Sequence, residues 1–446
     1  AQGGAIYGST IRSGIDLLKN SLFENNYVIN TGGNAYGGAI ATDSDHYLNK
    51  IENSVFKNNY VQTDKEAKSA QGGALYLATK NQTFNIGANN GETLFSGNYV
   101  QDSSGNKTAN ALYLAGKKQN LNLMATAGGT LRFDDGIDSS QEYNLTIGGD
   151  STGEIIVNDA VKNAAKVTVS DGVTLTVGNY TDSLGHREGS FDNTDFKLDN
   201  GTLNLENDQF QNLNFKSFSS TADAVIKFDA NLATGESDRI NATVTAGSEL
   251  SIDKINLLGD GSQSIELFSG GNGPHINNLD NFAAFTKKFK YTFSSNDDGI
   301  LRVADTIAIS GLNAAVNDTT DIRSYSMTEN EQPLANLGTL QGNGSKLTII
   351  GNNYKLDGTN TANNRKFSGV EIKNGQNLVL ENIAVIENFH SQNGGFVNNG
   401  GKLEITDTSF KNNTAENQGG AVWSDQDVTI TATADKKVSF SGNTAD

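Results

Sequence analysis

Few side chains in this sequence could do chemistry. Asp134-Asp135 and Asp297-Asp298 are the conspicuous adjacent acidic pairs. Glycoside hydrolysis needs two carboxylates held at a fixed separation across the scissile bond. Neighbouring strand residues face opposite sides, and each pair precedes a glycine, Gly136 or Gly299. Both pairs are therefore expected at turn tips and not as a catalytic dyad. The four histidines, His46, His186, His275 and His390, have no metal-type spacing. Gly185-His186-Arg187 lacks the aspartate motif that would complete a hydrolytic site, so a surface loop histidine is expected there. No Gly-x-Ser-x-Gly turn or phosphate-binding loop occurs. Gly148-Gly149-Asp150 is too short and unrepeated for a calcium-binding repeat. The single tryptophan, Trp423, follows a Gly-Gly-Ala corner where Tyr7 stands in the first repeat, and reads as a rung aromatic. The expectation is a protein without catalytic residues, cofactor or bound metal.

Composition agrees with that. The chain has 446 residues, with 49 glycines, 2 prolines and no cysteine. Only 36% of residues are hydrophobic, in bursts too short for packed helices. No cysteine means no disulfides and no thiolate metal sites. The net charge is −18, with Lys and Arg scattered, so nucleic-acid binding lacks its electrostatic footprint. No segment approaches the roughly 20 apolar residues of a membrane helix, and Ala1 does not open a signal peptide. Membrane insertion by this segment is not expected, and its targeting parts are expected to lie elsewhere.

Two short motifs alternate along the chain. One is Gly-Gly-Ala plus an aliphatic residue, at Gly3-Gly4, Gly37-Gly38, Gly72-Gly73 and Gly419-Gly420, with variants at Ala109-Asn110 and Gly394-Gly395. The other is Phe-x-x-Asn: Phe23 to Asn26, Phe56 to Asn59, Phe95 to Asn98, Phe410 to Asn413 and Phe440 to Asn443. The alternation predicts an all-β fold, a right-handed parallel β-helix, in which each turn stacks on the last at about 4.8 Å. Phe23, Phe56, Phe95, Phe410 and Phe440 should then point inward and stack. Asn26, Asn59, Asn98, Asn413 and Asn443 should sit at the bend, because asparagine tolerates the left-handed conformation. Gly-Gly should make a corner with little bulk.

Between the flanking motifs, short alternating strands continue at Leu145/Ile147, Ile155/Val157, Val167/Val169, Leu175/Val177, Phe196/Leu198, Leu203/Leu205 and Leu213/Phe215. The reading is β-helix coils over 1–269 and 345–446, with an irregular stretch at 270–344 that has room for a small excursion. That stretch holds Pro274 and Pro333, and Phe282, Phe285 and Phe289, whose spacing fits one face of a short helix. At about 22 to 25 residues per turn, one continuous solenoid of roughly 18 to 20 turns and about 90 Å is expected.

The Gly-Gly-Ala-Ile and Phe-x-x-Asn pair resembles the repeats of chlamydial-type polymorphic outer-membrane proteins. The stretch from Phe228 to Ile240 (FDANLATGESDRI) is similar to a segment of autotransporter passengers, and Leu347 to Gly358 with Gly394 to Asn413 resembles coils of similar surface β-helices. The cysteines often found in the chlamydial group are absent here. The resemblance implies export through an outer membrane and display outside the cell as a structural or adhesive segment. Its expected partner is a host or neighbouring cell surface whose receptor the sequence does not name. The alternative is a carbohydrate-active β-helix, an enzyme or a tailspike-like binder.

The two ends also match. Joined end to start, the chain reads FSGNTADAQGGAIY, in register with FKNNTAENQGGAVW from Phe410 to Trp423. This predicts one period of a longer solenoid, or a subunit that stacks end to end through uncapped coils.

Overall fold

In a computed structural model, residues 1–8, 14–44, 46–360, 365–433 and 436–446 are described. The fold is all-β, with 54% of residues in strands and 2% in helices. The strands are short because the apolar bursts are short, and most pair in parallel with a strand one pass later in sequence.

Two long parallel ladders organise residues 18–276. One contains Leu22–Glu24, Val55–Lys57, Glu92–Ser96, Thr130–Phe133, Glu154–Val157 and Thr174–Val177 and continues to His275–Ile276. Its inward column runs Phe23, Phe56, Phe95, Phe133, Val157, Val177. The phenylalanine motif thus ends while the column carries on as valine. The second ladder, ten strands from Leu18–Lys19 to Phe268–Ser269, aligns Leu18, Ile51, Ile86, Leu123, Ile147, Val169 and Leu198. The two inward columns meet in one apolar core.

The parallel ladders do not run unbroken. After His275–Ile276 the chain forms an antiparallel meander, Phe282–Phe285, Phe289–Ser294 and Ile300–Ala308. A second parallel stack then grows from Phe282–Phe285 through Ile322–Ser326, Lys346–Ile350, Asn377–Glu381 and Lys402–Thr406 to Val428–Thr431. This second stack has its own core. The expectation of one continuous solenoid is therefore corrected to two stacks. The turn count is corrected as well. Among the described residues, ten rungs and six rungs are found, because early passes take 33 and 39 residues and later ones 24 and 22.

The expected helical face at Phe282, Phe285 and Phe289 is also corrected. These residues lie in strands, preceded by one 3-10 turn at Leu279–Asn281. All four residues of Phe282–Phe285 are buried, Phe282 and Ala284 in the first core and Ala283 and Phe285 in the second. Alternation along one strand, not a helical stripe, explains the spacing.

The second stack seats its outer face on the last long strand of the first, Glu249–Gly259. The backbone N–H groups of Ile255 and Leu257 donate to Ser324 Oγ (3.3 Å) and Ser326 Oγ (2.8 Å). Lys254 is buried between Glu206 of the first stack and Glu381 of the second, and Lys346 pairs with Asp253 at 2.7 Å. The one-turn helix Leu312–Asn317 closes the start of the second core with Leu312, Ala315 and Val316. Beside it the buried Arg323 guanidinium donates to carbonyls of Ala315 (2.9 Å), Asp318 and Gln341 (2.7 Å).

Candidate functional site

The repeated motifs build three columns. Phe23, Phe56, Phe95 and Phe133 stack with ring centroids 5.0, 4.7 and 4.7 Å apart. Phe410 and Phe440 stack at 4.9 Å. Phe56, Phe95 and Phe410 are buried and Phe23 is half-buried. Phe440, expected inside, is 49% exposed, because among the described residues Phe410 covers one of its faces and no rung covers the other.

The asparagine column works differently from expectation. The left-handed residue is the one before the motif asparagine: Asn25, Asn58, Gly97, Asn412 and Gly442, with φ of 58°, 54°, 70°, 54° and 61°. That bend turns the next side chain inward. Asn26 donates through its backbone N–H (3.0 Å) and Nδ2 (2.9 Å) to Asn59 Oδ1. Asn59 donates likewise to Asn98 Oδ1 at 3.1 and 2.9 Å. Asn413 does the same to Asn443 Oδ1, at 3.0 Å twice. Each amide also caps a carbonyl, Asn59 that of Phe23 and Asn98 that of Phe56, both at 2.9 Å.

The glycine column needs both of its glycines. The first of each pair, Gly3, Gly37, Gly72 and Gly419, has φ between 61° and 70°. The second has no room for a side chain. A Cβ on Gly4, Gly38 or Gly73 would lie 2.1, 2.0 or 2.4 Å from a carbonyl oxygen one pass on, and one on Gly420 would lie 2.4 Å from the Thr444 nitrogen. Asn110 closes the column, its Oδ1 accepting from the Gly72 N–H at 3.0 Å.

Each N-terminal pass carries a side excursion after its asparagine. The strands Tyr27–Asn30, Tyr60–Thr63 and Tyr99–Gln101 stack into a lateral fin ended by antiparallel Lys107–Ala109. A small apolar cluster of Val28, Ala35 and Val61 holds the fin together. Tyr27, Tyr60 and Tyr99 stack along the fin (5.2 and 5.0 Å), and Tyr36 at its edge stacks on Tyr76, and Tyr76 on Tyr113, of the adjoining ladder strands Leu75–Leu77 and Leu112–Leu114 (4.3 and 6.0 Å).

The next pass has no excursion: Phe133 runs through Asp134, Asp135 and Gly136 into Ile137–Ser139. Asp134 and Asp135 sit in a bend between strands, as expected, but that bend is buried, both residues being 1% exposed. Asp135 ends the asparagine column, accepting from the Asn98 N–H and Nδ2 at 2.8 Å each and from the Gly97 N–H at 3.1 Å. Burial pushes its carboxyl up to about 7 against these hydrogen bonds. Asp134 accepts from Arg132 (2.6 Å) and Asn158 (2.8 Å).

A hairpin of Asn179–Asp182 with Gly185–Glu188 folds back over this point. Its Arg187 pairs with Asp182 (2.8 Å) and Asp159 (3.3 Å), with Asp135 at 3.8 Å. Between the end of the fin and this hairpin lies a groove of about 360 Å³, lined by residues including Lys107, Tyr113, Asp138, Asp159, Lys162 and Arg187. Burial raises Asp159. Burial and then the Asp138 charge raise Tyr113. Lys107 lies 4.5 Å over the Tyr99 ring. The Lys162 charge acts on Asp159 and opposes the shift that burial imposes there.

The remaining candidates are scattered. His46 is buried against Asp43 at 2.8 Å, His186 contacts Thr181, His275 contacts Asp297, and His390 contacts Thr414. Asp297 lies in a left-handed turn and Asp298 pairs with Arg302, which holds it at about 2. Among the described residues no cluster of three metal-ligating side chains exists, and no helix is long and apolar enough to cross a membrane. Trp423 pairs in register with Asn398 and donates to Gln418 Oε1 at 2.6 Å.

Residues 407–425, which include Phe410, Asn413 and Gly419-Gly420, match the Chlamydia polymorphic membrane protein repeat. No curated protein and no solved structure matches the chain.

Proposed function

We propose that the chain is a right-handed parallel β-helix, carried on a bacterial surface or secreted in the manner of an autotransporter passenger, and that it works as a rigid structural and adhesive segment. The observation that carries this reading is the polymorphic membrane protein repeat at 407–425. The same motif positions stack on one another in the N-terminal passes, phenylalanine on phenylalanine, asparagine on asparagine and Gly-Gly corner on Gly-Gly corner. Stacked in this way, backbone hydrogen bonds are satisfied between passes. That resists proteolysis and keeps side loops in fixed positions. The chain is read as a binder without hydrolase or lyase activity. End-to-end association through unpaired strand edges belongs to the same proposal.

Beads coated with the purified chain should adhere to epithelial or bacterial cells above albumin-coated beads, and soluble chain should compete. Adhesion at the albumin level would defeat the adhesive reading. Release of reducing or unsaturated ends from a polysaccharide panel, lost on Asp134→Asn/Asp135→Asn or Asp297→Asn/Asp298→Asn, would replace it with an enzymatic one. Sedimentation velocity over a wide concentration range tests self-association, and a single monomeric species at the highest concentration would refute it.

A further inference from the structure

We propose that the groove between the end of the lateral fin and hairpin 179–188 binds a neutral oligosaccharide, with the Tyr113 ring as the platform for one sugar. This rests on reading the chain as an adhesive surface segment and names the ligand class of that surface.

The argument starts from the tyrosine column. Tyr36, Tyr76 and Tyr113 stack on one another, but the next pass places Asp138, not an aromatic, in register with Tyr113. One face of the Tyr113 ring is therefore covered by Tyr76; on the other side the shorter Asp138 follows in the column, and Tyr113 and Asp138 both line the groove. An aromatic face carries partial negative charge and attracts polarised hydrogens, which the C–H face of a pyranose supplies. Sugar hydroxyls both donate and accept, so their site needs acceptors and donors together.

The groove has both. Asp138 uses part of its acceptor capacity on the Ser139 N–H at 2.7 Å and Asn163 Nδ2 at 3.3 Å, and an ionised carboxylate has about four lone-pair sites. Lys107, over the Tyr99 ring, and Lys162, whose charge acts on Asp159, supply the donors. Arg187 is already committed to Asp182 and Asp159. Counted with Asp182, which pairs with Arg187, three carboxylates (Asp138, Asp159 and Asp182) stand against three cations (Lys107, Lys162 and Arg187), so the site has no excess charge to draw an anion, and it is too polar for an apolar ligand. Its volume of about 360 Å³ lies at the small end of ligand sites, about 300–1,000 Å³, and its open form suits part of a longer chain.

The test is calorimetric titration of the full chain with cellopentaose, xylopentaose, maltopentaose, mannopentaose and chitopentaose, with sialyllactose and a heparin hexasaccharide as acidic probes. At least one neutral pentasaccharide should bind saturably. Tyr113→Ala and Asp138→Asn should each weaken it about tenfold or more, Tyr113→Phe should retain it, and Trp423→Ala should leave it unchanged. Circular dichroism melts of each variant check that the fold is kept, and Asp138→Asn serves if Tyr113→Ala does not fold. Binding of the acidic probes alone, no saturable neutral ligand, or affinity indifferent to both groove substitutions would each overturn the proposal. Adhesion of coated beads without any saccharide binding would overturn this inference and leave the adhesive reading standing. Saccharide binding without bead adhesion would do the reverse.

Discussion

Replacing Asn59 with alanine tests whether the buried amide column holds the passes together. The Asn59 side chain makes four hydrogen bonds: two accepted from Asn26 and two donated, to the Phe23 carbonyl and Asn98 Oδ1. At about 1 kcal/mol net for each bond, the loss is about 4 kcal/mol. Asn98 Oδ1 still receives the Asn59 backbone N–H, and Asn26 is only part-buried and regains water, so about 3 kcal/mol is expected. Asn26→Ala removes one side-chain bond near solvent, that from Nδ2 to Asn59 Oδ1, and should cost about 0.5–1 kcal/mol. A stack opens by neighbours and not all at once, so native-state hydrogen exchange of amides between residues 22 and 60 is the suitable assay, supported by urea unfolding. Equal costs for the two substitutions, or a cost for Asn59→Ala near that of a surface change, would refute the idea that the column is an energetic unit.

Gly38→Ala should destabilise strongly, because the new methyl would lie 2.0 Å from the Gly73 carbonyl oxygen, whereas Gly32→Ala, with nothing within 4 Å, should be close to neutral; thermal melts of the pair check this. Burial pushes Asp135, Asp238 and Glu206 each up to about 7, above an unfolded value of about 4. Their stabilising contribution is therefore full below about pH 4 and lost as pH rises through 7. The unfolding midpoint should be higher at pH 5.5 than at pH 8, partly flattened by Asp135→Asn, and a midpoint that rises with pH would contradict this. Lys254→Met strands Glu206 and Glu381 at the contact between the stacks and should cost about 3–5 kcal/mol; calorimetry should show the two stacks melting further apart.

Much of the architecture was readable from spacing. The phenylalanine columns follow from a repeated motif, and the middle rungs follow from period-two alternation even where the motif is lost, as at Val157 and Val177. Within the Phe-x-x-Asn motif, the type of residue at the bend was readable but not its place. Asn58 and Asn59 are adjacent and chemically alike, and only the backbone tells which one turns the chain and which one is buried. Phe282-Ala283-Ala284-Phe285 misled for another reason: a strand buried on both faces shows no alternation, and its end residues fall at a helical interval. Asp134-Asp135 before Gly136 looks like a turn locally. Its burial depends on Asn98 and on Arg187, both distant in sequence. The groove has no local signature, since Lys107, Asp138 and the nearby pair Asp159 and Lys162 come from three different passes.

The strand Phe282–Phe285 belongs to two cores at once. A pure array of rungs under tension peels from its ends, each rung giving way at a similar load because it touches only its neighbours. Here peeling from either direction reaches a strand whose removal exposes the interior on both sides together. The molecule thus carries an arrest point between its two stacks. A pull that strips the rungs on one side meets its highest resistance there, and the far side stays folded behind it.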